Sequence, residues 1–175
     1  MGRKYFDFIE KLDIKILILF ILRNLSEPVP IDELIDLTIS DEGISYFDFM
    51  ECVAELVESD HIKYKGGVYG LTEKGARNGK ATENNLPYGL RNHAEKATYI
   101  HRGIQKRNAM INTVHTEEPD GTCTVSLSMA DGLGEVFSIT LHAVNEKQAL
   151  TLEQGFRKRA ECVYKAMIEV ILEKY

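Results

Sequence analysis

Apolar residues from Ile14 to Leu25 occupy nearly every face of a helix, which predicts one buried on most sides and ended by the prolines of "SEPVP". Asp32 and Glu33 open a second helix, "IDELIDLTI", in which Ile31, Leu34, Ile35 and Ile39 fall at helical spacing, and "SDEG" reads as a turn. A third helix follows. Its Phe49, Cys52, Val53, Leu56 and Val57 keep the i, i+3, i+4, i+7, i+8 rule of a buried stripe, while Asp48, Glu51, Glu55 and Glu58 lie opposite. "HIKYKGGVYGLTEKG" then alternates about Gly66-Gly67, a two-residue hairpin signal, and Thr72 caps a short helix starting at "EKG".

Beyond the polar linker "ATENN", the stretch "LPYGLRNHAEKATYIHRGIQKRN" predicts a helix with Pro87 in its first turn and an apolar side at Leu90, Ala94, Ala97 and Ile104. "MINTVHTEE", "TCTVSLSM" and "EVFSITLHAV" read as three strands joined by "PDG" and "ADGLG" turns. Cys123, Val125, Leu127 and Met129 share a face with Phe137, Ile139 and Leu141. Thr124, Ser126, Ser128, Ser138, Thr140 and His142 take the other, and His115 is assigned with His142 to that polar side. A last helix from Glu146 to about Tyr175, with Leu152, Phe156, Val163, Met167, Val170 and Ile171 on one side, is expected to cover the sheet.

The fold class expected is α+β. Three short helices and a hairpin make an amino-terminal winged helix-turn-helix over residues 1–80, and residues 81–175 form a sensing or dimerisation domain, a three-stranded antiparallel sheet packed by long helices. "LVESDHIKYKGGVYGLTEKG" resembles the closing wing of winged-helix bacterial regulators. With "YFDFMECVAELVESDHI", the "LPYGLR" step and the strands and long helix that follow, the chain resembles an uncharacterised bacterial winged-helix family, catalogued as a domain of unknown function and common in clostridia. That resemblance implies a dimeric transcriptional regulator and brings no ligand with it.

Charge sharpens the picture. The net charge of −6 conceals seven acids and no Lys or Arg over residues 41–60, followed by ten bases against three acids over 61–110. The three cysteines are scattered and form no disulfide framework or C-x-x-C motif, so a reducing cytoplasm is the expected location. The longest apolar run, "ILILFIL", is too short to span a membrane, and "MGRKYFDFIEK" lacks the parts of a signal peptide. No catalytic fingerprint occurs, no histidine sits at metal-ligand spacing, and neither an enzyme nor a cofactor is expected.

Two functional classes remain. In the first, double-stranded DNA is the partner: Lys63, Lys65, Lys74, Arg77, Lys80 and Arg91 track the phosphate backbone, and Ser45 and Tyr46 meet the groove from the start of the third helix. In the second, the acidic face made by Asp48, Glu51, Glu55 and Glu58 docks onto a basic protein and no DNA is bound. The plainer account of each cluster is that the acids form a solvated face and the bases beside them offset it. Apolar helical stripes at 90–104 and 152–171 exceed what a small sheet can cover, so a homodimer is expected.

Overall fold

The computed structural model describes residues 9–39 and 43–173; the first eight residues, the Ser40–Glu42 part of the expected turn, and Lys174 and Tyr175 at the end of the expected last helix lie outside them. Contacts divide the chain into two compact units, Met1–Arg102 and Gly103–Tyr175. Helices and antiparallel strands are mixed throughout.

The first unit is built on α1 (Lys11–Asn24). Ile14 and every residue from Ile16 to Leu22 are buried, because a helix that is apolar on all sides needs neighbours on all sides. Pro28 and Pro30 end the turn after it, and Pro30 precedes α2 (Ile31–Thr38), where the buried Thr38 hydroxyl donates to Leu34 O at 2.7 Å. Val29, between the two helices, exchanges two backbone hydrogen bonds with Tyr69 (3.1 and 2.7 Å).

Helix α3 (Tyr46–Glu58) is N-capped by Ser45, whose Oγ accepts from Phe47 N at 3.2 Å. Phe49, Cys52, Val53 and Leu56 are buried as expected; Val57, at the edge of the stripe, is exposed. Strands β1 (Ile62–Lys65) and β2 (Val68–Leu71) pair through Gly66 and Gly67, both at positive φ, as a two-residue turn of matching twist requires.

Thr72 caps α4 (Glu73–Thr82), its Oγ1 accepting from Gly75 N at 3.0 Å. Gly75 and Gly79, one turn apart, are both buried: a Cβ on Gly75 would lie 2.0 Å from His61 O, and one on Gly79 would lie 3.2 Å from Leu19 Cβ. The absence of side chains there brings α4 against the hairpin root and α1. The "ATENN" stretch is not a linker. It finishes α4 and forms a 3-10 turn, Glu83–Asn85, in which Glu83 pairs with Arg23 of α1 and so ties the segment to the core helix. α5 (Tyr88–Ala109) follows, buried along Leu90, Ala94 and Thr98, while Ile104 is exposed rather than covered.

In the second unit β3 (Ile111–Glu117), β4 (Cys123–Ala130) and β5 (Glu135–Ala143) form an antiparallel sheet in that order. Leu127 stands opposite Thr113 and Ile139, and α6 (Glu146–Leu172), kinked at Arg159, packs Ala149, Phe156 and Ala160 on the face carrying Cys123, Val125 and Leu127. Two details differ from the sequence reading. His115 is on the helix-covered face, its Nδ1 3.0 Å from Glu153 Oε1, because Ile111 and not Val114 sets the inward phase of β3. Val170 and Ile171 are exposed, since α6 runs on after its last contacts with the sheet core. Among the described residues no helix is long and apolar enough to cross a membrane.

The glycine contacts predict opposite outcomes at two positions. Gly75→Ala forces backbone apart and should destabilise by about 2 kcal/mol, within the overpacking range. Gly89→Ala, in α5 with open space around it, should stabilise by roughly 0.5–1 kcal/mol through helix propensity. Urea unfolding of both variants checks this.

Candidate nucleic-acid interface

The acids of α3 divide into two kinds. Glu51 and Glu55 are one helical turn apart and meet Lys11 and Lys15, one turn apart on α1: Lys11 Nζ lies 2.6 Å from Glu51 Oε2, and Lys15 pairs with Glu55. Matching i, i+4 spacings on two packed helices thus make two rungs of one ladder. Lys15 holds the Glu55 carboxyl below the ordinary glutamate range, and Glu51 raises Lys11 above the ordinary lysine value. Asp48 and Glu58 make no ion pair among the described residues. The acidic face is therefore half neutralised from within, by lysines that the sequence reading left out.

The bases divide as well. Lys74 turns inward, donating to Ser59 O at 2.7 Å, where it closes the carboxy-terminal end of α3. Arg91 donates to Glu95 (3.0 Å) and Asn84 (3.3 Å) and lies 5.8 Å over the Phe20 ring, so it belongs to the scaffold. Lys63 and Lys65 share one face of the hairpin with Val68 and Gly70. Arg77 and Lys80 are exposed on α4. None of these four has an acidic partner among the described residues. The acids and bases adjacent in sequence do not cancel one another, because the cations that meet α3's carboxylates come from α1.

A hydrogen-bond chain joins the end of α3 to the hairpin root. Ser59 Oγ is 2.6 Å from Glu55 O, to which it donates, and 2.9 Å from His61 Nδ1, from which it then accepts. His61 Nε2 is 2.7 Å from Asn78 Nδ2 and accepts from it. A neutral imidazole with its proton on Nδ1 satisfies all three contacts. Asn78 and His61 line a cleft of about 250 Å³ with Lys15, Glu55 and Ser59. Because the Ser59 hydroxyl is committed to a carbonyl, the trio is a brace and not a nucleophile with its base.

At the amino-terminal end of α3, the Ser45 hydroxyl oxygen accepts the cap hydrogen bond from Phe47 N. Tyr46 and Phe47 stand out beside it, 53% and 81% exposed, in an edge-to-face pair with ring centroids 6.0 Å apart. Phe47 was not among the candidate contact residues, although it is the more exposed of the two rings. Among the described residues no group of His, Cys, Asp and Glu could hold a metal ion.

The family described as a domain of unknown function, DUF4364, matches residues 14–171, a span that takes in α1 from Ile14 onward, α3, the hairpin and the whole sheet of the second unit. The chain belongs to the DUF4364 family. No curated protein and no solved structure matches it.

The Lys15–Glu55 rung carries a pH signature. The lowered Glu55 value makes its contribution to stability full above the ordinary glutamate pKa of ~4.3 and lost as pH falls through the lower folded value. The melting-temperature gap between the native chain and Glu55→Gln should be open at neutral pH and close in acid. A gap that persists there would show that charge is not its source.

Proposed function

We propose that this DUF4364 protein is a DNA-binding transcriptional regulator whose first unit works as a winged helix, with the hairpin as wing and α3 as reading helix. The carrying observation is the division of charge: Glu51 and Glu55 are held by Lys11 and Lys15, whereas Lys63, Lys65, Arg77 and Lys80 are free of acidic partners among the described residues. Phosphate contacts supply most non-specific affinity, and cations on a hairpin and the following helix suit a wing-led, backbone-dominated grip. The order α1, Val29 bridge, α2, α3, hairpin supports the winged-helix reading, because the Val29–Tyr69 pair adds a third short strand beside the wing. Ser45 and Tyr46, at the exposed start of α3, are the groove-facing candidates, with the Phe47 ring placed to meet a thymine methyl. Two copies acting together would present two such units to paired half-sites.

The exposed Tyr46–Phe47 pair also favours a second reading, a protein-interaction module in which these rings anchor a partner beside Asp48 and Glu58. The two readings separate by experiment. Fluorescence anisotropy with short genomic duplexes, at low and physiological salt, should show salt-dependent binding. In Lys63→Glu/Lys65→Glu/Arg77→Glu the slope of log affinity against log salt should fall by about three, one per lost phosphate contact. Unchanged binding in that variant sinks the wing-led mechanism. If no duplex binds at low salt and Phe47→Ala abolishes capture of a protein partner, the second reading stands instead.

A further inference from the structure

β5 is the longest strand of its sheet, nine residues, and its outer edge is open. β4 and α6 are the elements packed on it, and among the described residues no backbone hydrogen bond outside the sheet ladder engages its main chain. Protein edges are ordinarily guarded by lysine, proline, a bulge or short length. After Glu135, residues 136–143 hold no charge other than a titratable His142, and no proline, and the one irregularity of the sheet lies at Met129/Ala130 on β4. The opposite edge, β3, is better defended: Arg157 Nη1 donates to Ile111 O, and Glu117 charges its far end.

A second observation singles out the same strand. Phe137, Ile139 and Leu141 face α6 yet are only half-buried, while Val125 and Leu127 beside them on β4 are fully buried. One helix covers part of the sheet and leaves the β5 row short of cover on its outer side.

We propose that β5 pairs antiparallel with β5 of a second copy about a two-fold axis at Ile139, making a continuous six-stranded sheet. The strand is complementary to itself in that register. Phe137 stands opposite the partner's Leu141, Ile139 opposite the partner's Ile139, Ser138 opposite the partner's Thr140 and Glu135 opposite the partner's Ala143, so apolar meets apolar and no like charges face each other. Each half-buried row then covers the open side of the other, while the edge amides and carbonyls gain partners. The inference rests on the two-copy reading above and names its surface.

Sedimentation velocity of the full chain tests it. The native protein should sediment at twice the 19.8 kDa chain mass. Ser138 and Thr140 are exposed on the face away from α6, so Ser138→Lys/Thr140→Lys should keep its circular dichroism and melting temperature while self-association weakens about tenfold or more, because lysine then faces lysine twice across the axis. Ser138→Glu/Thr140→Glu should behave alike, and a one-to-one mixture of the two variants should recover the dimer. A monomeric native chain overturns the proposal and leaves the edge to a strand of another protein. A dimer that persists in the lysine variant, or a mixture that stays monomeric, places the contact elsewhere, such as the exposed apolar end of α6 at Ile168, Val170, Ile171 and Leu172. Duplex binding is read separately by anisotropy, so either proposal can fail while the other stands.

Discussion

The first unit depends on one constraint, the complete burial of a helix with almost no polar side. Since Ile14 and Ile16 to Leu22 all need cover, α2, α3, α4 and β2 are gathered round α1 from different directions. Burying side chains of this size contributes roughly 1.5–3 kcal/mol each, far more than any surface ion pair nearby. Charge on α1 is thereby confined to its ends and one flank, and the flank that holds Lys11 and Lys15 is the one that meets α3. The electrostatics of α3 follow from where the core helix has room for a cation.

This arrangement changes what an acidic helix means. An unpaired carboxylate would set a repulsive field toward a phosphate backbone, whereas one that shares its charge with a lysine 2.6 Å away contributes a dipole whose reach is short. What is exposed on α3 is aromatic at its start, while of its acids Glu51 is exposed but paired to Lys11 and Glu58 is exposed near the end of the helix. The positive surface of the unit lies instead on the hairpin and α4. The brace from Asn78 through His61 and Ser59 holds those elements to the end of α3.

Much of the fold was legible because its signals are local. Gly66-Gly67 specifies its turn, Thr72 its cap, and the alternation of β4 and β5 assigns thirteen side chains to the correct faces. The errors share a different origin. β3 has apolar residues in both phases, Ile111 in one and Val114 in the other, and only its pairing with Leu127 and Val125 decides which is inward, so His115 was given the wrong side. "ATENN" looks like a linker until Arg23, sixty residues earlier, claims Glu83. The candidate site was half legible for the same reason. Its residues could be named from type and position, but which of Glu51, Glu55, Lys74 and Arg91 are already spoken for depends on partners far away in sequence.

Gly75 carries an implication for how such a chain can vary. At that point α4 rests on the carbonyl of His61 with no side chain between them, so two stretches of main chain are in direct contact. The pitch of the hairpin relative to the core helix is set there by backbone thickness, a quantity that no surface substitution alters. Lysines and arginines on the outside can be exchanged, added or lost without disturbing the frame that presents them. The unit can thus change the charge it presents while the angle at which the hairpin is held stays the same.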